Sequence, residues 1–355
     1  MPAIFTVNRW GSGHSMVRRV TMKDVANAVG VHVSTVSRAL DPTTSHRIRP
    51  EVAENIRQAC RDLGYVPTLP APAPKTTPTR TVGLIVPDVA ETFFSTIIRG
   101  AEQALVEHGY LVVIANTDRN ERREAEIVDI MRSRGLEGLI LAGVEWQDDL
   151  VSRLAGEGLP VVTVNRRIDD PRVSSVVHDE DDGFDQILAH LTSLGHRRIA
   201  NIAGPQNLHI GQRRFQAFER HRLARELDSH TEFAERTNEA EGERCGEVLV
   251  QSKRAFTAVV CGNDRIAVGA ITALRRHGLD CPRNVSVTGF NDMPLADRFV
   301  PSLTTVHLDQ YREGWDAAEL LVEMLDRARD QRVPRHIVLP VEIVIRDSTR
   351  AIGPL

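Results

Sequence analysis

The stretch TLPAPAPKTTPT, residues 68–79, holds Pro70, Pro72, Pro74 and Pro78. Proline fixes φ and has no backbone N–H to donate, so neither a helix interior nor a central strand can run through it. The segment reads as an extended, semi-rigid connector between separately folded bodies. A chain of 355 residues has room for two or three domains. The connector also divides the charge: residues 1–80 carry 11 Lys+Arg against 5 Asp+Glu, a net of +6, and since the whole chain is −4 the remainder sums to −10. A basic head on an acidic body points to a polyanionic partner for the head.

Several classes are disfavoured by what the sequence lacks. Cys60, Cys245, Cys261 and Cys281 lie far apart, with no Cys-x-x-Cys and no histidine at ligand spacing, so a reduced cytoplasmic setting, no metal and no cofactor are expected. No apolar run approaches a membrane span, and residues 1–20 have no apolar signal-peptide core. Those residues are expected to form a disordered extension, with Met16 and Met22 as alternative starts.

The segment TMKDVANAVGVHVSTVSRAL, residues 21–40, predicts two short helices. Thr21 and Asp24 form a variant capping box, Val25, Ala26 and Val29 supply an apolar face, and Gly30 ends the first helix. A second helix from Val33 turns Val36, Ala39 and Leu40 inward and leaves Ser34, Thr35, Ser37 and Arg38 outside. A third begins at Pro50 and carries Val52, Ile56, Ala59, Cys60 and Leu63 at helical spacing. This is a helix-turn-helix pattern, whose second helix fits the DNA major groove. Val33, Ser34 and Arg38 are the candidates for base edges, Arg38 being able to grip guanine with two hydrogen bonds. Thr21, Thr35, Ser37 and the loop residues His46, Arg47 and Arg49 are candidates for phosphates, and His32 joins the DNA-facing set. A generic helical hairpin with a solvated polar face is the plainer alternative.

From Thr81 the pattern alternates strand and helix: TVGLIVP, FFSTIIRGAEQALVEHG, YLVVIANT, RREAEIVDIMRSRG, GLILAG and PVVTVN, then a second series from SSVVHD through RIANIAG and TAVVCGN to VSVTGFN. Two such series predict two α/β lobes with parallel sheets. Ligands lie beyond the carboxyl ends of such strands, which singles out Pro87 and Asp88 with Phe93 and Phe94, the run from Gly143 to Trp146, Asn165 and Arg166, Gly204 to Gln206, Asn263 and Asp264, and Asn291 and Asp292. Planar amides and carboxylates suit vicinal hydroxyls and aromatic faces cover a sugar ring. Helix capping is the plainer role for Asn263, and a core role for Phe94.

The head pieces KDVA, VGVH, STVSR and LGYVP, and the body pieces IVPDVAETFFSTIIRGAE, LGHRRIANIAGP, RRFQAF, VVCGNDRIAVGAITAL, VSVTGFND and PSLTTVHLD, resemble the lactose/galactose-repressor (LacI/GalR) family over about residues 21–352. The resemblance implies an all-α helix-turn-helix head at 21–66, a linker at 67–80, and a two-lobed body at 81–355 of the type I periplasmic-binding-protein kind. Its first lobe would be about 81–164 plus 308–336, its second about 165–307 plus 337–355. It also implies an effector pocket involving Asp88, Phe93, Phe94, Asn165, Arg214, Asn263 and Asn291. Three positions depart from the family pattern: Asn165 and Asn291 stand where aspartate is frequent, and Leu308 where glutamine is. Where the family has a hinge helix of the type PNALARSL, this chain has PTLPAPAP. Internal prolines cost a helix about 3 kcal/mol each, so the usual hinge helix and its minor-groove wedge are not expected here.

The sequence therefore predicts a cytoplasmic, homodimeric transcriptional repressor that binds double-stranded operator DNA and a small effector, a carbohydrate or related metabolite. It is read as non-enzymatic: there is no nucleophile motif and no Walker loop. A solute-binding receptor with the same body, an α/β enzyme, and a regulator without an effector are the alternatives.

Overall fold

The computed structural model describes residues 20–40, 45, 48–63, 65 and 78–352. They form two compact units, divided between Pro74 and Lys75. The expected N-terminal extension up to residue 19, His46 and Arg47 of the basic loop, and the linker up to residue 77 lie outside the described residues.

In the first unit α1 (Met22–Val29), α2 (Val33–Leu40) and α3 (Pro50–Leu63) pack pairwise around Val25, Ala26, Val36, Ala39, Ala53, Ile56 and Cys60. The capping box forms: Thr21 Oγ1 accepts from Asp24 N at 3.4 Å and Asp24 Oδ2 accepts from Thr21 N at 2.8 Å. Gly30 takes the left-handed conformation, φ 69°, that ends α1 and lets the chain turn into α2. Leu63, expected on the inner face of α3, is exposed at its end.

The second unit alternates as predicted: β1 (Thr81–Val86), α4 (Thr92–Glu107), β2 (Leu111–Asn116), α5 (Glu121–Ser133), β3 (Gly138–Leu141), α6 (Asp149–Glu157), β4 (Val161–Val164) and β5 (Ser174–His178). Then follow α7 (Glu180–Ser193), β6 (Arg198–Ala203), α8 (His209–Ala224), β7 (Asp228–Phe233), α9 (Glu239–Gln251), β8 (Ala258–Cys261), α10 (Asp264–Arg276) and β9 (Ser286–Thr288). The chain ends with β10 (Thr305–His307), α11 (Gln310–Asp326), β11 (His336–Leu339) and β12 (Glu342–Val344). One parallel sheet runs β11-β5-β4-β3-β1-β2 and a second runs β7-β6-β8-β9, while β10 and β12 pair antiparallel.

The strand pairing corrects the expected lobe boundaries. SSVVH, expected to open the second lobe, is β5; Val162 pairs with Ser174, and β11 pairs with β5 on its other side. The first lobe therefore extends through His178 and takes back residues up to Leu339, and the chain crosses between lobes at 178–180, 307–310 and 339–342. The polar strand β7 and helix α9 had no apolar run to announce them.

Each lobe brings two helices into close contact. A Cβ on Gly100 of α4 would stand 2.0 Å from Tyr311 O, and one on Gly314 of α11 would stand 2.0 Å from Ile97 O. Only glycine at both positions permits that crossing. This contact holds α4, whose first turn carries Phe93 and Phe94, against α11 at the crossovers.

Candidate functional site

On α2, Val36 and Ala39 are buried, and Ser34, Ser37 and Arg38 form an exposed polar face with Val33 and Thr35 half-buried beside it. His32 Nδ1 lies 2.8 Å from Ser34 Oγ and accepts from Ser34 N at 3.2 Å, so its ring starts α2. Thr21 directs its hydroxyl to Asp24 Oδ2, 2.6 Å away, and holds α1 in place beneath that face. Arg49 is exposed just before α3.

Between the lobes of the second unit lies a cavity of about 500 Å3. Asp88, Phe93, Phe94, Asn165, Arg214, Asn263 and Asn291 all line it. Phe93 and Phe94 meet edge to face at 5.3 Å, Phe94 being 4% exposed and half core, half wall. Asn165 and Asn291 sit at φ 65° and 115°, conformations that side-chain-bearing residues rarely take and that cluster where a site is held in place. Trp146 is not part of this cavity wall: its ring stacks on His209 of α8 at 4.1 Å, joining the two lobes elsewhere.

Each nitrogen of the Arg214 guanidinium makes a hydrogen bond. Its Nε donates to Glu180 Oε1 at 2.8 Å, Nη1 to Gly262 O at 2.8 Å and Nη2 to Asn291 Oδ1 at 3.1 Å, with the guanidinium over the Phe290 ring at 4.2 Å. The arginine thus fixes the rotamer of Asn291 and builds the floor from within the second lobe. Asn263 serves two roles: its Oδ1 caps α10 by accepting from Ile266 N at 2.8 Å, and its amide points toward Thr237 O at 3.4 Å. Asp264 is structural, with Oδ1 on Thr305 and Oδ2 accepting from Met293 N at 2.6 Å; burial pushes its carboxyl up to about 6. Asp88 keeps one oxygen on Ala90 N at 2.9 Å.

Arg119, Thr237, Arg265, Met293 and Gln310 also line the cavity and were not singled out from the sequence. Arg119 follows β2 and Thr237 follows β7, so the strand-end rule applied to every strand would have found both. Among the described residues no cluster of His, Cys, Asp or Glu could hold a metal ion, and no helix is long and apolar enough to cross a membrane.

A family model described as "Bacterial regulatory proteins, lacI family" matches residues 21–68, and one described as "Periplasmic binding protein-like domain" matches residues 188–349. The chain is 31% identical over 336 residues to the HTH-type transcriptional repressor CytR of Escherichia coli (strain K12), covering 94% of this chain and 97% of CytR. It is similar to the structure of a transcriptional regulator CelR-cellobiose complex, with a TM-score of 0.69 and 28% identity over 93% of this chain and 100% of that one. The lac repressor dimer bound to operator and the anti-inducer ONPF shares the fold, with a TM-score of 0.70 at 24% identity over 94% and 100% of the two chains. The chain belongs to the lacI family of bacterial regulatory proteins and is a DNA-binding transcriptional regulator.

Proposed function

We propose that this regulator is a homodimeric repressor whose hold on double-stranded operator DNA changes when a small carbohydrate or related metabolite enters the cleft. The observation that carries the reading is the convergence of Asp88, Asn165, Asn263 and Asn291 with Phe93 and Phe94 on one cavity. Amides and carboxylates bind hydroxyls in pairs, and the phenylalanine rings cover the apolar side of a sugar. The CelR complex with cellobiose supports the same ligand class. Val33, Ser34 and Arg38 would read the operator, with Thr21, Thr35, Ser37 and Arg49 on phosphates. The reading assigns no catalysis, and a protein that acts on the chromosome works in the cytoplasm.

The homodimer has a physical motive. β2 is an edge strand, and it leaves Leu111 and Ile114 exposed at 64% and 44% beside Val106 of α4. Edge strands with exposed apolar side chains call for a cover, and a second copy supplies it by symmetry. The test is binding of the full chain to DNA from its own promoter region, across salt concentrations and with a sugar panel. Arg38→Ala should cost about 1–3 kcal/mol of sequence discrimination. Binding equally tight to unrelated DNA, or an operator affinity that no metabolite moves, would count against the reading.

A further inference from the structure

A second cavity, of about 550 Å3, adjoins the first and shares Glu91, Arg119, Arg166, Thr237 and Arg265 with it. The first lobe lines it with Glu121, Glu124, Glu145 and Asp148, the second with Asn207, Glu235, Arg236 and Asn238. Burial, followed by the neighbouring charges of Asp148, Glu121 and Glu145, pushes the Glu124 carboxyl up to about 7. Carboxylates predominate on the first-lobe wall, with Arg119 and Arg166 among them, and Arg236 faces them across the cavity.

Arg166 stands where the two cavities meet. It is 8% exposed; Nη1 lies 3.4 Å from Val144 O and 3.6 Å from Glu145 Oε1, and Nε has no hydrogen-bond partner. A buried guanidinium with an unused donor is costly unless a ligand completes it. An anion placed here would meet the carboxylates, and a cation would meet Arg166 and Arg236. A hydroxyl group both donates and accepts, so it can use the two walls together. The first cavity alone falls within the range of about 300–1,000 Å3 that holds a whole small ligand, and the second adds room for another unit of the same chemistry.

Resting on the carbohydrate reading above, we propose that the effector is a saccharide of at least two linked rings, one ring against Phe94 and Asn291 and the next between Glu145 and Arg236. The test is calorimetric titration of the full chain with hexoses and with the disaccharides and trisaccharides built from them. A few added hydrogen bonds should make one disaccharide bind roughly 10- to 100-fold more tightly than either of its hexoses. Arg236→Ala, at an exposed position, should lower the ratio of disaccharide to hexose affinity about tenfold, while Asn291→Ala lowers both affinities. A hexose that binds as tightly as the disaccharide, with a ratio unmoved by R236A, overturns the two-ring effector and leaves the carbohydrate reading standing. Binding by no saccharide of any length overturns both.

Discussion

Each lobe buries a glutamate behind the cleft wall, bonded to a residue of that wall, and the two are neutralised in different ways. Glu180, the first residue of α7, lies 2.8 Å from Arg214 Nε. Burial raises its carboxyl above the ordinary range against the pull of that guanidinium. Glu313 on α11 is completely buried and, among the described residues, is paired with no lysine or arginine. Its Oε1 accepts from Asn165 N, while Oε2 has no hydrogen-bond partner and stands 3.6 Å from His178 Nδ1. Burial pushes Glu313 up to about 8 and His178 down to about 4, so near neutral pH they are a carboxylic acid and a neutral imidazole. A buried carboxylate can keep its charge by finding a partner, or give it up by keeping its proton. The first arrangement fails when its partner is removed; the second responds to pH.

The largest expected effect follows from the paired glutamate. Arg214→Ala leaves Glu180 buried without its cation and should cost about 3–5 kcal/mol, read as a lower denaturant midpoint. Glu180→Gln added to R214A should restore part of that loss, because the stranded charge is gone. A loss well under 1 kcal/mol for R214A would mean that the two lobes do not differ in the way described.

The unpaired glutamate makes a pH-dependent prediction. Glu313 has a folded pKa of about 8 against an ordinary 4.5, so the folded state holds its proton more tightly than the unfolded state. The stability this contributes is complete below about pH 4.5 and is lost as pH rises to about 8. Glu313→Gln keeps the acceptor for Asn165 N and removes the titration. Its stability relative to the wild type should therefore rise with pH across that window, by at most about 1.4 kcal/mol per unit. His178 works in the opposite sense: its folded pKa of about 4 lies below the ordinary 6.5, so its contribution is present above pH 6.5 and lost as pH falls toward 4. Comparing E313Q with His178→Gln separates the two. A flat difference between E313Q and wild type from pH 5 to 8.5 would put a counter-charge near Glu313 after all.

What was legible in the sequence divides along the same line between local and distant causes. The head could be read because its signals are local: Thr21 with Asp24, Gly30, and the spacing of Val25, Val36 and Ile56. Five-residue strands carry no mark of which sheet they will join, so SSVVH was placed in the second lobe although its partners are β4 and β11. β7, DSHTEF, lies at an edge of its sheet, and its side chains need not be apolar. At the cleft, strand ends and family resemblance found ten wall residues, Arg166, Asp264 and Asp292 among them. They could not show that Arg214 is held by Glu180, or that Glu313 and His178, far apart in sequence, meet beneath Asn165.

Trp146 sharpens the comparison from outside the cleft. A tryptophan at a strand end looks like a ligand platform, but here its ring faces His209 of the other lobe at 4.1 Å with the planes 16° apart. Burial, with Arg213, Arg166 and Arg167, lowers the His209 pKa, so the stack joins a neutral imidazole to an indole. Such a pair contributes about 0.5–1.5 kcal/mol beyond the area it buries. Because it spans the lobes, that energy favours the arrangement in which both walls reach one ligand. Trp146→Leu should therefore weaken effector binding by roughly two- to tenfold while leaving the denaturant midpoint far less changed than R214A does. Effector affinity that is identical in the variant would show that the crossovers hold the lobes without help from the stack.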